Sequence, residues 1–474
     1  MQHSLLMDYL VLVPEISLLL GGCIVLLGGA FVSQFKHSLF ALAQIVLIAV
    51  TYLCVLQISN DEIELFNGFY LLDNLAVITK IAMCVLMIVV LIYSRSYIEN
   101  HNLPVGEYYA LALFSLLGMM LISSANHLLM IYLGLELLSL SMYALVAMDR
   151  DNSISSEAAI KYFVLGAIAS GFLLYGISRI YGLTGSLYLS ELTIQNDVGI
   201  GIIAAVIFLV IGLAFKLGAV PFHMWLPDVY QGAPLPVTLL IASVPKIAGL
   251  MLALRLLMDG VTYMHEYWQQ SLMALSVLSL VIGNVVAISQ TNLRRMLGYS
   301  TIGHVGYILL GLLVGNQQGY SSALFYTLIY ALMSSAVFGV LLCSGRMGHV
   351  INELSDLKGF AKAYPWLAFL LLLLMFSMAG IPMTVGFYAK LNVLQALILN
   401  DGVILAIIAV ISSVIGAFYY LRVIKLMYFD DGEIERNQSM PSGYITVLSA
   451  HVLSVIVLFL FPQELILLCQ QAFS

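Results

Sequence analysis

Apolar runs long enough to cross a bilayer follow one another along almost the whole chain, and nothing else in the sequence limits the fold so strongly. A run of about 20 apolar residues spans the hydrocarbon core as a helix. Every backbone polar group must be satisfied internally there, which leaves helices or closed barrels. Fourteen runs qualify, at about 9–32, 38–58, 70–93, 107–124, 126–147, 157–181, 198–221, 234–258, 268–289, 296–315, 320–344, 365–386, 402–427 and 442–467. Charged residues make up 9% of the chain and hydrophobic ones 62%, against about a quarter charged in a soluble domain. The prediction is an all-α integral membrane protein of about 14 transmembrane helices. No basic segment precedes the first run, which reaches Phe31 and is too long for a signal core, so it is read as the first span.

The thirteen loops between these spans carry charge unevenly. Odd-numbered loops hold Lys36, Arg95, Arg150, Arg294, Arg295, Arg346, Lys358, Lys362, Arg422, Lys425 and Arg436, eleven basic residues, and even-numbered loops hold only Arg179 and Arg255. Basic loops stay in the cytoplasm, so the odd loops are expected there and both termini on the periplasmic side. Dropping one span would scramble the division, which supports the count independently of hydropathy. The net charge of −7 is spread over the loops without a basic block suited to nucleic acid.

An internal repeat recurs at an offset of 161–168 residues. Residues 159–170 (AIKYFVLGAIAS) match 323–334 (ALFYTLIYALMS), GAVP at 218–221 matches AGIP at 379–382, and 244–255 (VPKIAGLMLALR) matches 411–422 (ISSVIGAFYYLR). Spans four to eight therefore correspond to spans nine to thirteen. Five spans per copy is an odd number, so the copies insert with opposite topology. Pro221 and Pro382 break spans seven and twelve at matching positions. Inverted repeats with paired broken helices point to a transporter-type site near the bilayer midplane.

Ionisable residues within spans mark that site, since a lysine at mid-bilayer costs roughly 2.5–3.5 kcal/mol even on the lenient insertion scale. Glu136, in LGLELLSL, is read as the only carboxylate deep in a span. Lys216 and Lys246 flank the first break, and Lys390 follows the second. His304 aligns with Glu136 at an offset of 168 residues, so each copy offers one titratable group in its second span. Lys161 lies four residues past Glu157, where snorkelling to the interface is a rival reading. His223, just past Pro221, is a relay member or a cap for freed backbone groups. Lys80 is placed equally well in a structural or a functional role, and His127 opens the fifth span at the interface. Lysine, histidine and a carboxylate in a dry interior suit protons, and making and breaking a Glu136–Lys216 pair is one way to load and release one.

Cys23, Cys54, Cys84, Cys343 and Cys469 sit in or beside apolar runs without CxxC spacing and read as structural thiols. There is no GxGxxG after a strand, no Walker loop and no metal-spaced His/Cys set, so neither a metal nor a redox cofactor is expected in this chain.

FKLGAVPFHMWLPDVYQGAP, LGLELLSL, SQTNLRRMLGYSTIGHVGY and MAGIPMTVGFYAKLNVL resemble, over essentially the whole chain, the antiporter-like membrane subunits of complex I, most closely the bacterial subunit N type. The resemblance implies fourteen helices with two inverted five-helix repeats. It also implies proton translocation in the inner membrane, coupled to NADH oxidation and quinone reduction elsewhere in a hetero-oligomeric complex. NADH, FMN, iron–sulfur clusters and quinone would then belong to partner subunits. The family's central hydrophilic axis maps onto Glu136, Lys216, Lys246, His304 and Lys390, with Lys161 matching a further family lysine, and His223 is added here as a path candidate. Lys390 stands where the subunit M type carries a glutamate, and the chain ends soon after span fourteen, where the subunit L type continues into a lateral helix. The expected organisation is a three-helix segment (1–106), a first repeat (107–258), an inverted second repeat (268–427) and a final transmembrane helix (428–474). Multisubunit cation/proton antiporters and membrane-bound hydrogenases share the family and supply the alternative reading. A purely structural subunit would gain nothing from five intramembrane lysines.

Overall fold

A computed structural model describes residues 10–31, 36–58, 62–192, 199–434 and 442–473; Arg436 lies outside the described residues. Thirteen helices among them are long and apolar enough to cross a membrane, and two shorter apolar helices, Pro365–Ala379 and Val385–Leu399, together supply the broken twelfth span. Spans eight, ten and eleven are the most enclosed, and spans one, two and fourteen line the periphery.

The loops sort into two sets that bond only among themselves in the contacts that follow. On one face, His37 meets Glu99 (3.1 Å), Arg294 donates to the Ala233 carbonyl (3.1 Å), Asn292 donates to Glu353 (3.0 Å) and Lys362 donates to Asp431 (2.6 Å). These contacts join loops one, three, seven, nine, eleven and thirteen. On the other, Leu71 N–H donates to Ser124 O (2.8 Å), Leu128 N–H to Leu187 O (2.9 Å), Arg255 to Asp73 (2.8 Å) and Asn316 to Asn400 (2.9 Å). These join loops two, four, six, eight, ten and twelve. The alternation is the one fourteen spans require.

Both broken spans end on a glycine rather than on the proline that marks them in the sequence. Helix Ile200–Leu217 stops at Gly218 (φ +83°), and helix Pro365–Ala379 stops at Gly380 (φ +79°). Glycine reaches this left-handed region without a Cβ clash. Gly218 N–H donates to Ala214 O and Phe215 O, and the next residue's N–H returns to Ala214 O; Gly380 and Ile381 repeat the pattern onto Phe376 O and Ser377 O. This is the Schellman arrangement that satisfies the last carbonyls of a helix. The prolines follow in the turns, where no further N–H is needed. Identical caps at both breaks support the repeat.

Three further features depart from the sequence expectation. Span eight is kinked: Leu235–Ala242 and Val244–Leu254 meet at Ser243 (φ −117°, ψ −86°), because Pro245 cannot donate into the helix above it. Span eight then ends in a π turn, Arg255–Gly260. A two-stranded antiparallel hairpin, pairing Ile63 with Leu72, Glu64 with Leu71 and Leu65 with Tyr70, interrupts the otherwise helical chain. Its turn places Phe66, Asn67 and Gly68 at positive φ, and three residues per strand are too few for periodicity to register.

Candidate functional site

Glu136 projects from helix Leu128–Val146, in which residues three apart share a face. Ser170 of span six donates its hydroxyl to Glu136 Oε1, and the Lys216 ammonium donates to Ser139 Oγ, one such step from Glu136. Lys216 therefore engages a serine on the glutamate's helix rather than the glutamate itself. It is the penultimate residue before the Gly218 cap, and its Nζ lies 5.8 Å from the Tyr143 ring centre.

Lys246 is 2% exposed and donates to the Leu217 carbonyl at 3.2 Å. Lys216 and Lys246 line one cavity of about 30 Å³ with Tyr162, Trp225 and Gly249. A single water needs about 10–15 Å³, so the space suits one or two.

In the second repeat, Lys390 donates to the Ala379 carbonyl (2.8 Å) and to Ser413 Oγ (2.8 Å). His304 lies between two phenols, Nδ1 2.7 Å from Tyr326 Oη and Nε2 2.9 Å from Tyr420 Oη, and Tyr420 also bonds Ser300. His304, Lys390, Ser413 and Gly416 line a cavity of about 10 Å³.

The two halves are built on one plan. Leu217 and Ala379 occupy equivalent places before the two caps, and each carbonyl accepts from a lysine. The lysines differ in origin, since Lys246 comes from span eight and Lys390 from the second half of span twelve. Ser413 stands at the position equivalent to Lys246, and Gly249 and Gly416 are a matched pair, so the cavities are repeats of each other. Hydroxyls meet between the halves: Tyr330 Oη donates to Thr301 Oγ1 (2.7 Å), and Thr301, which donates to the Leu297 carbonyl (2.9 Å), lies 3.4 Å from Tyr230 Oη on the short first-repeat helix Trp225–Gly232. The Tyr330 and His304 rings lie 4.7 Å apart.

Glu136, Lys216 and Lys246 thus gather in the first repeat and His304 and Lys390 in the second, with Glu136 and Lys216 half-buried and the other three buried, whereas Lys161 and His223 lie elsewhere. Lys161, its side chain 44% exposed, pairs with Glu157 (2.7 Å) and Asp228 (2.9 Å), and Asp228 also pairs with Arg295 (2.5 Å). His223 lines neither cavity; its ring faces Tyr299 at 6.4 Å and its Nδ1 has no hydrogen-bond partner. His127 caps the fifth span, accepting from Leu129 N–H at Nδ1 (3.2 Å).

Glu136 is half-buried, and the fully enclosed carboxylate among the described residues is a different one. Glu15, 4% exposed in the first turn of span one, accepts from Lys80 at 2.6 Å and from Tyr70 at 2.9 Å. Lys80 also reaches Tyr70 Oη at 2.7 Å. Arg255, counted with the loops from sequence, is 1% exposed and binds Asp73, Asp259 and the Ser123 carbonyl. Position near a span end hid both, since hydropathy places such residues at the surface. Ser139, Ser413, Tyr326 and Tyr420 escaped because serine and tyrosine are ordinary in apolar helices. The repeat was the available signal, as it pairs Ser413 with Lys246 and Tyr326 with Tyr162. Among the described residues, no group of three or more His, Cys, Asp or Glu side chains is placed to hold a metal ion.

Residues 125–416 match the family model described as NADH:quinone oxidoreductase/Mrp antiporter, TM. The chain is 49% identical to NADH-quinone oxidoreductase subunit N of Thioalkalivibrio sulfidiphilus, covering 98% of each chain. It is 48% identical to the subunit N of Nitrosomonas europaea over 97% of each. Among solved structures it resembles a chain of respiratory complex I from Thermus thermophilus (TM-score 0.82, 29% identity, 96% of this chain and 98% of that one). It also resembles a chain of an archaeal membrane-bound sulfane sulfur reductase (TM-score 0.88, 25% identity, 98% and 97%). A chain of the Mrp complex from Dietzia shares the fold (TM-score 0.84, 19% identity, 98% and 97%).

Proposed function

This chain belongs to the NADH:quinone oxidoreductase/Mrp antiporter membrane-subunit family, in its subunit N branch, and from that membership we propose that it is a proton-translocating membrane-arm subunit of a respiratory NADH:quinone oxidoreductase. It works in the inner membrane beside other membrane subunits. NADH, flavin, iron–sulfur clusters and quinone belong to those partners, and no step in this chain runs through them. The odd loops face the cytoplasm and the termini the periplasm, a reading supported by the loop charges.

The observation that carries the proposal is the pair of enclosed lysines, one in each repeat. Lys246 and Lys390 have only neutral acceptors around their ammonium groups, with a cavity beside each. Glu136, Lys216 and Lys246 take up and hold a proton in the first repeat, and His304 and Lys390 do the same in the second. The Lys216–Ser139 bond is the separated state of a Glu136–Lys216 switch, in which the lysine turns back toward the glutamate when neighbouring helices move. Lys161 and His223 act at the margins of this path. The segments 1–106, 107–258, 268–427 and 428–474 are the corresponding functional units.

Lys216→Ala and Glu136→Gln in the assembled complex test this reading, with NADH-driven quinone reduction and the proton gradient recorded together, with and without added Na⁺. Loss of both activities is expected. Full turnover and pumping would reduce the chain to a scaffold, and a Na⁺-dependent gradient would move it to the cation antiporters.

A further inference from the structure

The repeat pairs Arg255 with Arg422, and both arginines make the same kind of contact. Arg255 donates through Nε (3.0 Å) and Nη2 (2.8 Å) to the carbonyl of Ser123, the last residue of helix Val105–Ser123 in span four. Arg422 donates through Nη1 to the carbonyls of Ile288 (3.0 Å) and Gln290 (3.4 Å), at the end of helix His265–Ser289 in span nine. Span nine is the counterpart of span four. A helix leaves its last carbonyls without partners, so in each copy an arginine from the repeat's last span closes the end of its first. Arg255 does so at the even-loop face and Arg422 at the odd-loop face, the reversal that inverted copies require.

Nine residues before each arginine stands a residue that lines a polar cavity, Lys246 before Arg255 and Ser413 before Arg422. Nine steps make two and a half helical turns and about 14 Å, so the arginine grips the side of the helix opposite the cavity. Both stretches are unbroken: Val244–Leu254 runs into Arg255, and Ser413 and Arg422 both lie within Val403–Tyr428. A rotation permitted at the arginine therefore reaches the cavity. A side chain stands about 5–6 Å from the helix axis, so a turn of about 20° moves it about 2 Å. That would part Lys246 from the Leu217 carbonyl (3.2 Å). In span thirteen it would part Ser413 from the Lys390 ammonium (2.8 Å) and Tyr420 from His304 Nε2 (2.9 Å). Packing holds span thirteen from one side only, because Val410, Val414, Phe418 and Leu421 face outward.

We infer that Arg255 and Arg422 are positioning residues for proton transfer, each fixing the rotation of the span that carries a cavity residue by gripping the end of its repeat's first span. The inference rests on the proton-translocation reading above. The grip needs a planar guanidinium, whose donors are fixed in direction, where a lysine ammonium is a swivelling point charge.

The test uses the whole complex in proteoliposomes. It begins with Arg422, whose acceptors here are neutral carbonyls, whereas losing Arg255 would also unpair Asp73 and Asp259. Arg422→Met should slow proton pumping about tenfold, the effect of roughly 1.4 kcal/mol on one transfer step, and Arg422→Lys should recover part of that loss. Arg255→Lys, which keeps the charge but not the plane, should slow pumping as well. Arg422→Met should cost less in a Ser413→Ala background than in the native one, since one of the groups it positions is already gone. The pH profile of pumping should shift in Arg422→Met as it does in Ser413→Ala. If Arg422→Met does not assemble, Arg422→Lys carries the same comparisons. An equal cost in both backgrounds, an unshifted pH profile, or full pumping by Arg422→Met where Lys216→Ala has lost it overturns the positioning role and leaves the parent function standing. Full pumping by both variants overturns the parent function as well.

Discussion

Lys80, Lys246 and Lys390 are all buried in spans, yet their surroundings divide them into two kinds. Lys80 is held by Glu15 (2.6 Å) and Tyr70 (2.7 Å), with the tyrosine also donating to the carboxylate. Lys246 has one carbonyl, and Lys390 has a carbonyl and a serine. A lysine locked to an opposite charge is a structural tie, whereas one that meets only neutral acceptors can exchange its proton when its neighbours shift. Lys80→Ala would leave Glu15 buried and unpaired, a change that costs roughly 3–5 kcal/mol. The amount of this chain in the assembled complex and its thermal stability should both fall. The double variant Glu15→Gln/Lys80→Met should recover most of the loss, because neither partner is then left charged. A Lys80→Ala protein as stable as the native one would show that the pair ties nothing.

At the scale of elements, the two breaks determine where the lysines can sit. An α-helix leaves its last carbonyls without partners, and at mid-membrane the Gly218 and Gly380 caps satisfy several while lysines take Leu217 and Ala379. Alanine at either glycine would be forced into a left-handed conformation costing roughly 1–2 kcal/mol. The consequences differ between the two. A Cβ on Gly380 would meet Lys390 Cδ at 2.8 Å and displace the lysine, while one on Gly218 would meet the tip of Leu226 at 2.5 Å. Gly380→Ala should therefore lower the proton gradient formed per quinone reduced more than Gly218→Ala does. Equal ratios in the two variants would separate Lys390 from the coupling step.

Across the whole molecule, the ion cluster at the odd-loop face ties the repeats together. Asp228, in the connection between spans seven and eight, accepts from Lys161 of span six and Arg295 of span ten. Burial pushes the Asp228 carboxyl up, but the hydrogen bonds from Lys161 and Arg295 outweigh it and hold the group below its ordinary value. A carboxyl lowered by folding stabilises the native state above its unfolded pKa, about 3.9, and that contribution disappears as pH falls through the lower native value. Asp228→Asn should therefore melt below the native protein at neutral pH, by an amount in the range of a partly exposed pair, up to about 1 kcal/mol. Thermal unfolding from pH 7 to pH 3 should show the gap narrowing below pH 4. A gap that is constant over this range would mean the carboxylate charge is not what joins the repeats.

Span count, the alternation of loops, the inverted repeat and the lysines enclosed in the two repeats were legible in the sequence, because lipid demands long apolar runs and makes each buried charge conspicuous. The Gly218 and Gly380 caps were half-legible, since the matching GAVP and AGIP drew attention to the prolines while the glycines end the helices. What touches what was decided only by the tertiary structure. Lys216 meets Ser139, Glu15 meets Lys80, and Lys161 turns outward to Asp228. Residue type and depth say that a charge in a membrane needs a partner. They do not say which neighbouring helix supplies it, because that depends on the rotation and separation of spans far apart in the chain.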